Sequence, residues 1–380
     1  MKHFSAGTKI ITGTPDWQAL LEGIHRVLVV TDRFLYENHM TDYVTLQLET
    51  LGISYEIFYE VKPDPDLCVV AAGMEVMSRL NPDGMIALGG GSAIDAAKAI
   101  RFFDARSEKK HPCFFMAVPT TSGTGSEVSR FSVISDTKKD AKYPLVDDSL
   151  LPDAALLDAS LTISVPPGVT ADTGIDVMTH AMEAFVSKDA DDFTDAAAEK
   201  ALRLVKDYFM EVVKHPDNLL ARQKMHHASC LAGIAFSNGG LGINHSMAHT
   251  VGGHFHLPHG RVNGILMPYV IAYNAGYWEK LTPAAKRYGK LARIFSVEEK
   301  GNPRQSIFNL IRIIRQYRDT LQIPASFQAA GIDRAEYEKA VPAMVSAAMN
   351  DRCTPSNPRQ CTKDDLSRLF WRVYEGNLAR

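Results

Sequence analysis

The sequence predicts an α/β N-terminal domain with a Rossmann-like parallel sheet, followed by an all-α C-terminal domain. Three observations carry this reading. Short β-rich runs alternate with helical patterns in the first part, two glycine-rich turns each follow an apolar run, and beyond Pro166-Pro167 the apolar spacing is helical throughout.

Taken in order, HRVLVVTD (His25 to Asp32) reads as a buried strand ending in a polar turn, and the residues from about Phe34 to Leu51 read as one helix. YEIFYE returns to strand chemistry, Asp66 to Leu80 carries helical spacing, and MIALGG is an apolar strand. It opens through a glycine turn into the helix SAIDAAKAIRFF, and CFFMAVPT is a further strand. Strand, helix, strand in this rhythm gives parallel strands joined by crossover helices. After the prolines, AAAEKALRLVKDYFMEVV, RQKMHHASCLAGIAFS, AAKRYGKLARIF and SIFNLIRIIRQYRDTL all place apolar residues at helical spacing. The expected domains are 1–165 and 166–380, with no internal repeat.

Composition narrows the function. The chain has 380 residues, 46% hydrophobic and 22% charged, the balance of an ordinary globular protein. A net charge of -3 and the lack of a long basic block give no footprint for nucleic acid. No window reaches the roughly 18 uncharged apolar residues of a membrane helix, and the N-terminus lacks the apolar core of a secretory signal. Five scattered cysteines with no C-x-x-C argue against a disulfide framework or a thiolate zinc site. A reducing, cytoplasmic setting is expected, and a bacterial microcompartment is compatible with the same residues.

Two loops look built for phosphate. Gly89-Gly90-Gly91-Ser92 follows a strand and opens a helix, where free backbone N–H groups face an anion at the positive helix end. The bland reading is a tight strand-to-helix turn. A second cluster, Pro119 to Glu127 with Thr120, Thr121, Ser122 and Thr124, follows another strand and offers hydroxyls as well. Two such loops on parallel strands point to a dinucleotide. Asp32, at the end of a strand, could accept from a ribose and repel a 2'-phosphate, favouring NAD over NADP; it could equally cap the helix that follows.

The histidines point to a metal. Asp176 and His180 stand at i and i+4 of one helix face. His245, His249, His254, His256 and His259 crowd into fifteen residues of apolar and glycine-rich sequence. Carboxylate and imidazole without thiolate suit Fe(II), Zn(II) or Mn(II). H-E-x-x-H is excluded because Ser246 follows His245, and no G-x-S-x-G elbow is present.

Over nearly its whole length the chain resembles the iron-containing (group III) alcohol dehydrogenases. The resemblance rests on GGGSAIDAAKAI, PTTSGTGSEVS, GIDVMTHAMEAF, HSMAHTVGGHFHLPHGRVNGILMP and NDRCTPSNPRQCTKDD. SVPPGVTADTGIDVMTHAMEAFVSKDADDFTDAAAEKA brings it nearest the propanol dehydrogenase branch. The resemblance implies a dehydroquinate-synthase-like fold. Its metal ligands fall on Asp176, His180, His245 and His259, and His249 falls at a catalytic position beside nicotinamide and substrate. Its cofactor positions fall on Asp32, Gly90, Gly91, Ser92, Asp95, Thr120, Thr124, Lys142 and Val169, and Phe131, Phe236 and Cys353 fall at pocket positions. His254 and His256 receive no role.

The expected activity is NAD(H)-dependent interconversion of a short primary alcohol and its aldehyde, read as an aldehyde reductase for a propanal-like substrate, with one divalent metal and a homodimeric state. Proton transfer through ribose hydroxyls and water, with His249 as relay, completes the expectation. Arg130, beside the cofactor loop, raises an anionic aldehyde such as sulfoacetaldehyde as an alternative, against an ordinary surface arginine. A glycerol dehydrogenase or a dehydroquinate-synthase-type lyase would use similar loops, and H-x-x-x-H followed by PHG argues against both. A binding protein with a structural metal would not leave coordination positions open.

Overall fold

A computed structural model describes residues 4–106, 113–136 and 141–379. The chain divides into two compact units: Ser5–Val165 together with Pro216–Ser237, and a second built mainly from Pro166–His215 and Asn238–Arg380.

In the first unit, β1 (Lys9–Thr12), β2 (Arg26–Asp32), β3 (Ser54–Val61), β4 (Gly84–Gly89), β5 (Phe114–Pro119) and β8 (Ala154–Leu157) form one parallel sheet, in the order β1-β8-β5-β4-β2-β3. A separate antiparallel hairpin joins β6 (Phe131–Asp136) to β7 (Ala141–Val146). The connections carry α1 (Trp17–Leu20), α2 (Arg33–Glu37), α3 (Asp42–Thr50), α4 (Leu67–Leu80) and α5 (Gly91–Asp104). Beyond them come α6 (Pro167–Val186), α7 (Asp192–Lys214), α8 (Leu219–Gly239), α9 (Ile243–Phe255) and α10 (His259–Ala275). The last four are α11 (Ala285–Ile294), α12 (Pro303–Thr320), α13 (Arg334–Asn350) and α14 (Lys363–Glu375).

The sheet reads as continuous apolar runs because both its faces are covered. Val27 and Val29 of β2 pack with Val44 and Leu48, whereas Leu28 and Val30 pack with Val70, Met77 and Ile94. Each such aliphatic side chain, fully buried, contributes about 1.5–3 kcal/mol. The strand β4 lies at the centre and is buried along its whole length. Among the described residues no helix is long and apolar enough to cross a membrane.

Two details differ from the sequence reading. The single helix expected from Phe34 to Leu51 is broken into α2 and α3, with His39 in the left-handed region (φ 57°) and the Asn38 side-chain amide donating to the Phe34 carbonyl. Local capping there overrides a helical apolar pattern. The strands β1 and β8 and the β6–β7 hairpin are also additional. Four-residue strands such as β1 and β8 are too short for periodicity to register, and pairing with neighbours defines them.

A buried charge ties α5 to the loop after β5. Lys98 is fully buried and donates to Ser126 Oγ (3.0 Å), to Ser129 O (2.7 Å) and Oγ (3.2 Å), and to Phe131 O (2.8 Å). Asp95 and Glu127 supply the opposing charges. Burial pushes the Glu127 carboxyl up to about 7, with Lys98 pulling the other way. Where the pH lies below the ordinary carboxyl value of 4.5, both folded and unfolded states are protonated and no penalty arises. Between that value and about 7 only the folded state holds the proton, so stability falls as pH rises and then levels off. The substitution Glu127→Gln should therefore gain stability relative to the parent chain across this window, by on the order of 1–3 kcal/mol. Thermal denaturation at several pH values checks this; a Tm difference that does not grow with pH would show that Glu127 does not titrate there.

Candidate active site

The candidate side chains form two sets, one in each unit. In the first, the neighbouring strands β2, β4 and β5 end in Asp32, the Gly89–Ser92 turn and the Thr120–Gly125 loop. Asp32 divides its two oxygens. Oδ1 accepts from the Leu35 amide (3.0 Å) and caps α2, while Oδ2 accepts nothing among the described residues and lies 3.8 Å from where a Cβ on Gly89 would stand. Capping and ligand binding are thus compatible on one carboxylate.

The two glycine loops abut. A Cβ on Gly90 would stand 3.3 Å from Thr121 Oγ1, and one on Gly91 would stand 2.7 Å from the Thr124 methyl. Thr120 donates its amide to the Gly89 carbonyl (3.0 Å). Gly90 caps α5 without a side chain, and the amides of Gly91 and Ser92 make no hydrogen bond among the described residues. Free N–H groups at the positive end of a fourteen-residue helix are donors suited to an anion. Asp95 accepts from Ser126 Oγ (2.6 Å) and the Val133 amide (3.0 Å) and so fastens loop and hairpin to α5. The Lys142 side chain lies outside the described residues.

Helix α8 braces the second loop. Gly125 (φ 60°) sits so close to α8 that its Cβ would stand 2.6 Å from the Gly233 Cα, and Ser122 Oγ meets His226 Nδ1 at 2.9 Å. Phe131 and Phe236 are brought together with ring centroids 6.2 Å apart. The Arg130 guanidinium stands 3.5 Å from Asp148, and its amide donates to Ser237 Oγ.

In the second unit, Asp176 and His180 lie one turn apart on α6, His245 on the first turn of α9, and His259 at the start of α10. One ligand atom from each of these four residues lies within 4.8 Å of all the others. Asp176 Oδ1 is 3.7 Å from His245 Nε2 and 3.6 Å from His259 Nε2, and Asp176 Oδ2 is 3.8 Å from His180 Nδ1. The rings of His180 and His245 stack at 4.5 Å. The glycine after His259 has a steric cause: a Cβ on Gly260 would fall 1.9 Å from the Asp172 carbonyl, so only glycine lets α10 begin this close to α6. Val169 stands in the first turn of α6 and is exposed.

The electrostatics call for a cation. Burial alone would push the Asp176 carboxyl up, yet the three imidazoles around it hold it well below the usual range. Burial pulls His245 down, but the Asp176 and Glu183 carboxylates beside it hold it up to about 9. No lysine or arginine pairs with Asp176 among the described residues; its ion-pair partners are all histidines. The side-chain nitrogen of Asn263, with two protons, stands 2.7 Å from Asp176 Oδ1, 3.0 Å from His259 Nε2 and 3.3 Å from His245 Nε2. Asp176 Oδ1 and two imidazole nitrogens converging on one amide fit a divalent cation, which would take the place of the proton on His245 Nε2, and a set of one carboxylate and three imidazoles suits Fe(II), Zn(II) or Mn(II).

Three residues here escaped the sequence reading: Glu183, Asn263 and Asp351. Glu183 lies seven residues after Asp176 on α6, and Asp351 ends α13. Asp351 Oδ2 accepts from His249 Nδ1 (2.9 Å), and its Oδ1 from the Cys353 amide (2.8 Å). Burial raises the Asp351 carboxyl, but these hydrogen bonds leave it well below the usual range. Cys353 thus stands beside the His249–Asp351 pair. The His249 ring stacks on His259 at 5.3 Å. Of the histidines without a role, His256 closes α9 in the left-handed region and His254 packs edge-on against Phe255.

Known proteins resemble the chain along nearly its whole length. The family model described as iron-containing alcohol dehydrogenase matches residues 7–159, and that for the C-terminal part of the Fe-containing alcohol dehydrogenase family matches residues 170–374. The 1-propanol dehydrogenase PduQ of Salmonella typhimurium is 42% identical over 373 residues, covering 97% of this chain and 99% of that protein. The NADPH-dependent butanol dehydrogenase of Clostridium saccharobutylicum is 38% identical over 392 residues, covering 99% of each. The crystal structure of a 1,3-propanediol oxidoreductase matches with a TM-score of 0.90 at 31% identity, covering 98% of this chain and 100% of that one. With models matched in both halves and relatives aligned along nearly its full length, the chain belongs to the iron-containing alcohol dehydrogenases, a family of alcohol and aldehyde oxidoreductases.

Proposed function

We propose that this protein is a metal-dependent NAD(H) oxidoreductase of a short-chain primary alcohol and its aldehyde, acting as a reductase on a propanal-like substrate. The observation that carries the proposal is the convergence of Asp176, His180, His245 and His259, whose ligand atoms lie within 4.8 Å of one another. These four would hold one divalent metal, Fe(II) in first place on the family's name, with Zn(II) and Mn(II) suited by the same donors. Such an ion lowers the pKa of an alcohol and polarises an aldehyde carbonyl. The nicotinamide cofactor carries the hydride. A homodimer and a reducing, cytoplasmic setting belong to the same reading, the latter supported by five free cysteines.

The chain's own residues supply binding, orientation and proton handling. The Gly90–Ser92 turn and the Thr120–Thr124 loop would hold the pyrophosphate, and the open Asp32 Oδ2 would accept from a ribose hydroxyl. The same carboxylate would repel a 2'-phosphate, so NAD(H) is favoured although the butanol dehydrogenase relative is named for NADPH. His249 would hand the proton on, its Nδ1 being held by Asp351. The name of the propanol dehydrogenase relative supports a three-carbon substrate. Arg130 faces Asp148, which offsets its charge locally and favours a neutral aldehyde over an anionic one.

The first test is NADH oxidation by metal-reloaded protein across short neutral and anionic aldehydes, with a chelator-treated control. Turnover should be fastest with propanal and similar neutral aldehydes and should vanish on chelation; turnover that survives complete metal removal would overturn the proposal. Asp32→Ser should narrow the NADH-over-NADPH preference in kcat/KM by about ten-fold, whereas an unchanged ratio would leave Asp32 a helix cap alone. His249→Ala should lower turnover by about a hundred-fold with metal content intact, and metal loss in that variant would remove the relay role.

A further inference from the structure

Helix α9 carries two imidazoles, His245 and His249, at i and i+4 on one face. Each has its Nδ1 taken by a carboxylate. Glu183 Oε2 accepts from His245 Nδ1 at 2.5 Å, and Asp351 Oδ2 accepts from His249 Nδ1 at 2.9 Å. A carboxylate accepts only, so in both rings the Nδ1 must carry a proton and the Nε2 lone pair is the free one in the neutral ring. Yet the two Nε2 atoms have different surroundings. That of His245 stands among the converging donors, 3.7 Å from Asp176 Oδ1, while that of His249 has no hydrogen bond among the described residues.

The two locks are themselves fixed. Glu183 is buried; its Oε1 accepts from the Asn244 amide (2.8 Å) and its Oε2 also from the His245 amide (3.3 Å). It therefore closes the N-terminus of α9, whose own cap, Gly242, has no side chain to do so. The room comes from the same glycine, since a Cβ there would stand 2.6 Å from Glu183 Oε1. Asp351 is held by the Cys353 amide and by Ser246 Oγ (3.2 Å), and Ser246 in turn accepts from Thr354 Oγ1 (2.8 Å).

We propose that Glu183 and Asp351 are positioning residues that divide the labour of α9, Glu183 presenting His245 to the metal and Asp351 holding His249 for proton transfer. The inference rests on the dehydrogenase reading above. Outer carboxylates of this kind are worth about 10–100-fold in metal affinity or activity. A glutamine at 183 would set an amide donor against His245 Nδ1 or give up one of the backbone amides.

The test is a double dissociation. In Glu183→Gln, Zn(II) affinity of the metal-stripped protein, measured by competition with a chromogenic chelator, should fall by about 10–100-fold, and Co(II) loaded into the site should show shifted visible absorption bands. In Asp351→Asn, Zn(II) affinity should stay at the parent value while kcat for aldehyde reduction falls by about 10–100-fold with little change in aldehyde KM. Asp351→Glu should restore part of that loss. Circular dichroism and Tm of both metal-free variants report folding separately, and Glu183→Asp serves as the milder variant if the glutamine disturbs α9. Unchanged Zn(II) affinity with a lowered Tm in Glu183→Gln would reduce Glu183 to a helix cap. Loss of metal, or unaltered kcat, in Asp351→Asn would remove the second half. Absence of aldehyde reduction by the parent protein would instead sink the dehydrogenase reading and leave the Glu183 arm decided by metal affinity alone.

Discussion

Burying Asp176 with no lysine or arginine paired to it among the described residues is the constraint on which the helical unit depends. An uncompensated carboxylate in an apolar interior costs several kcal/mol or simply takes up a proton. Here neither outcome is allowed, because imidazoles from three helices surround it and keep it ionised. That demand reaches outward. Helix α10 must start against the α6 backbone, which requires Gly260; α9 must begin at Glu183, which requires Gly242; and Asn263 must be fully buried to serve the same carboxylate. The continuous burial of α6 from Gly174 to Val186 is the packing counterpart of this chemistry.

Much of this is legible in sequence, for identifiable reasons. Asp176 and His180 are one turn apart in a stretch of unmistakable helical spacing, and the five histidines from His245 to His259 have no plausible shared structural purpose. The glycine loops announce themselves because each follows an apolar run, and β4 and β5 carry those runs buried at all but one position. What stays hidden is hidden by sequence distance. Asp351 lies 102 positions from His249 and Glu183 lies 62 from His245, so neither carboxylate can be paired with its imidazole until the helices have been folded against one another. Asn263 reads as one of two asparagines in a hydrophobic helix. The break at His39 is lost for a different reason: the apolar pattern runs through it, and only the left-handed φ reveals that the chain turns.

Charge placement in the α/β unit follows a second logic. Lys98, Asp95 and Glu127 form a buried polar group that fastens the loop carrying Thr120, Thr121 and Thr124 to the helix that begins at Gly91. Rigid loops lose less entropy when they bind, so holding this loop still would raise affinity for the proposed phosphate ligand without adding a contact.

Helix α8 has a consequence for how the chain is made. It is synthesised after α6 and α7, which belong to the other unit, yet Gly233, His226 and Ser237 pack against the loop and hairpin of the first. The α/β unit is therefore discontinuous: on the ribosome its sheet can be complete at Leu157 while one of its supports begins only at Leu219. A fragment cut at the end of the sheet would expose the backbone of Gly125 where Gly233 should lie. Birth order, and not only final stability, then decides how long the glycine loops stand unsupported in the cell.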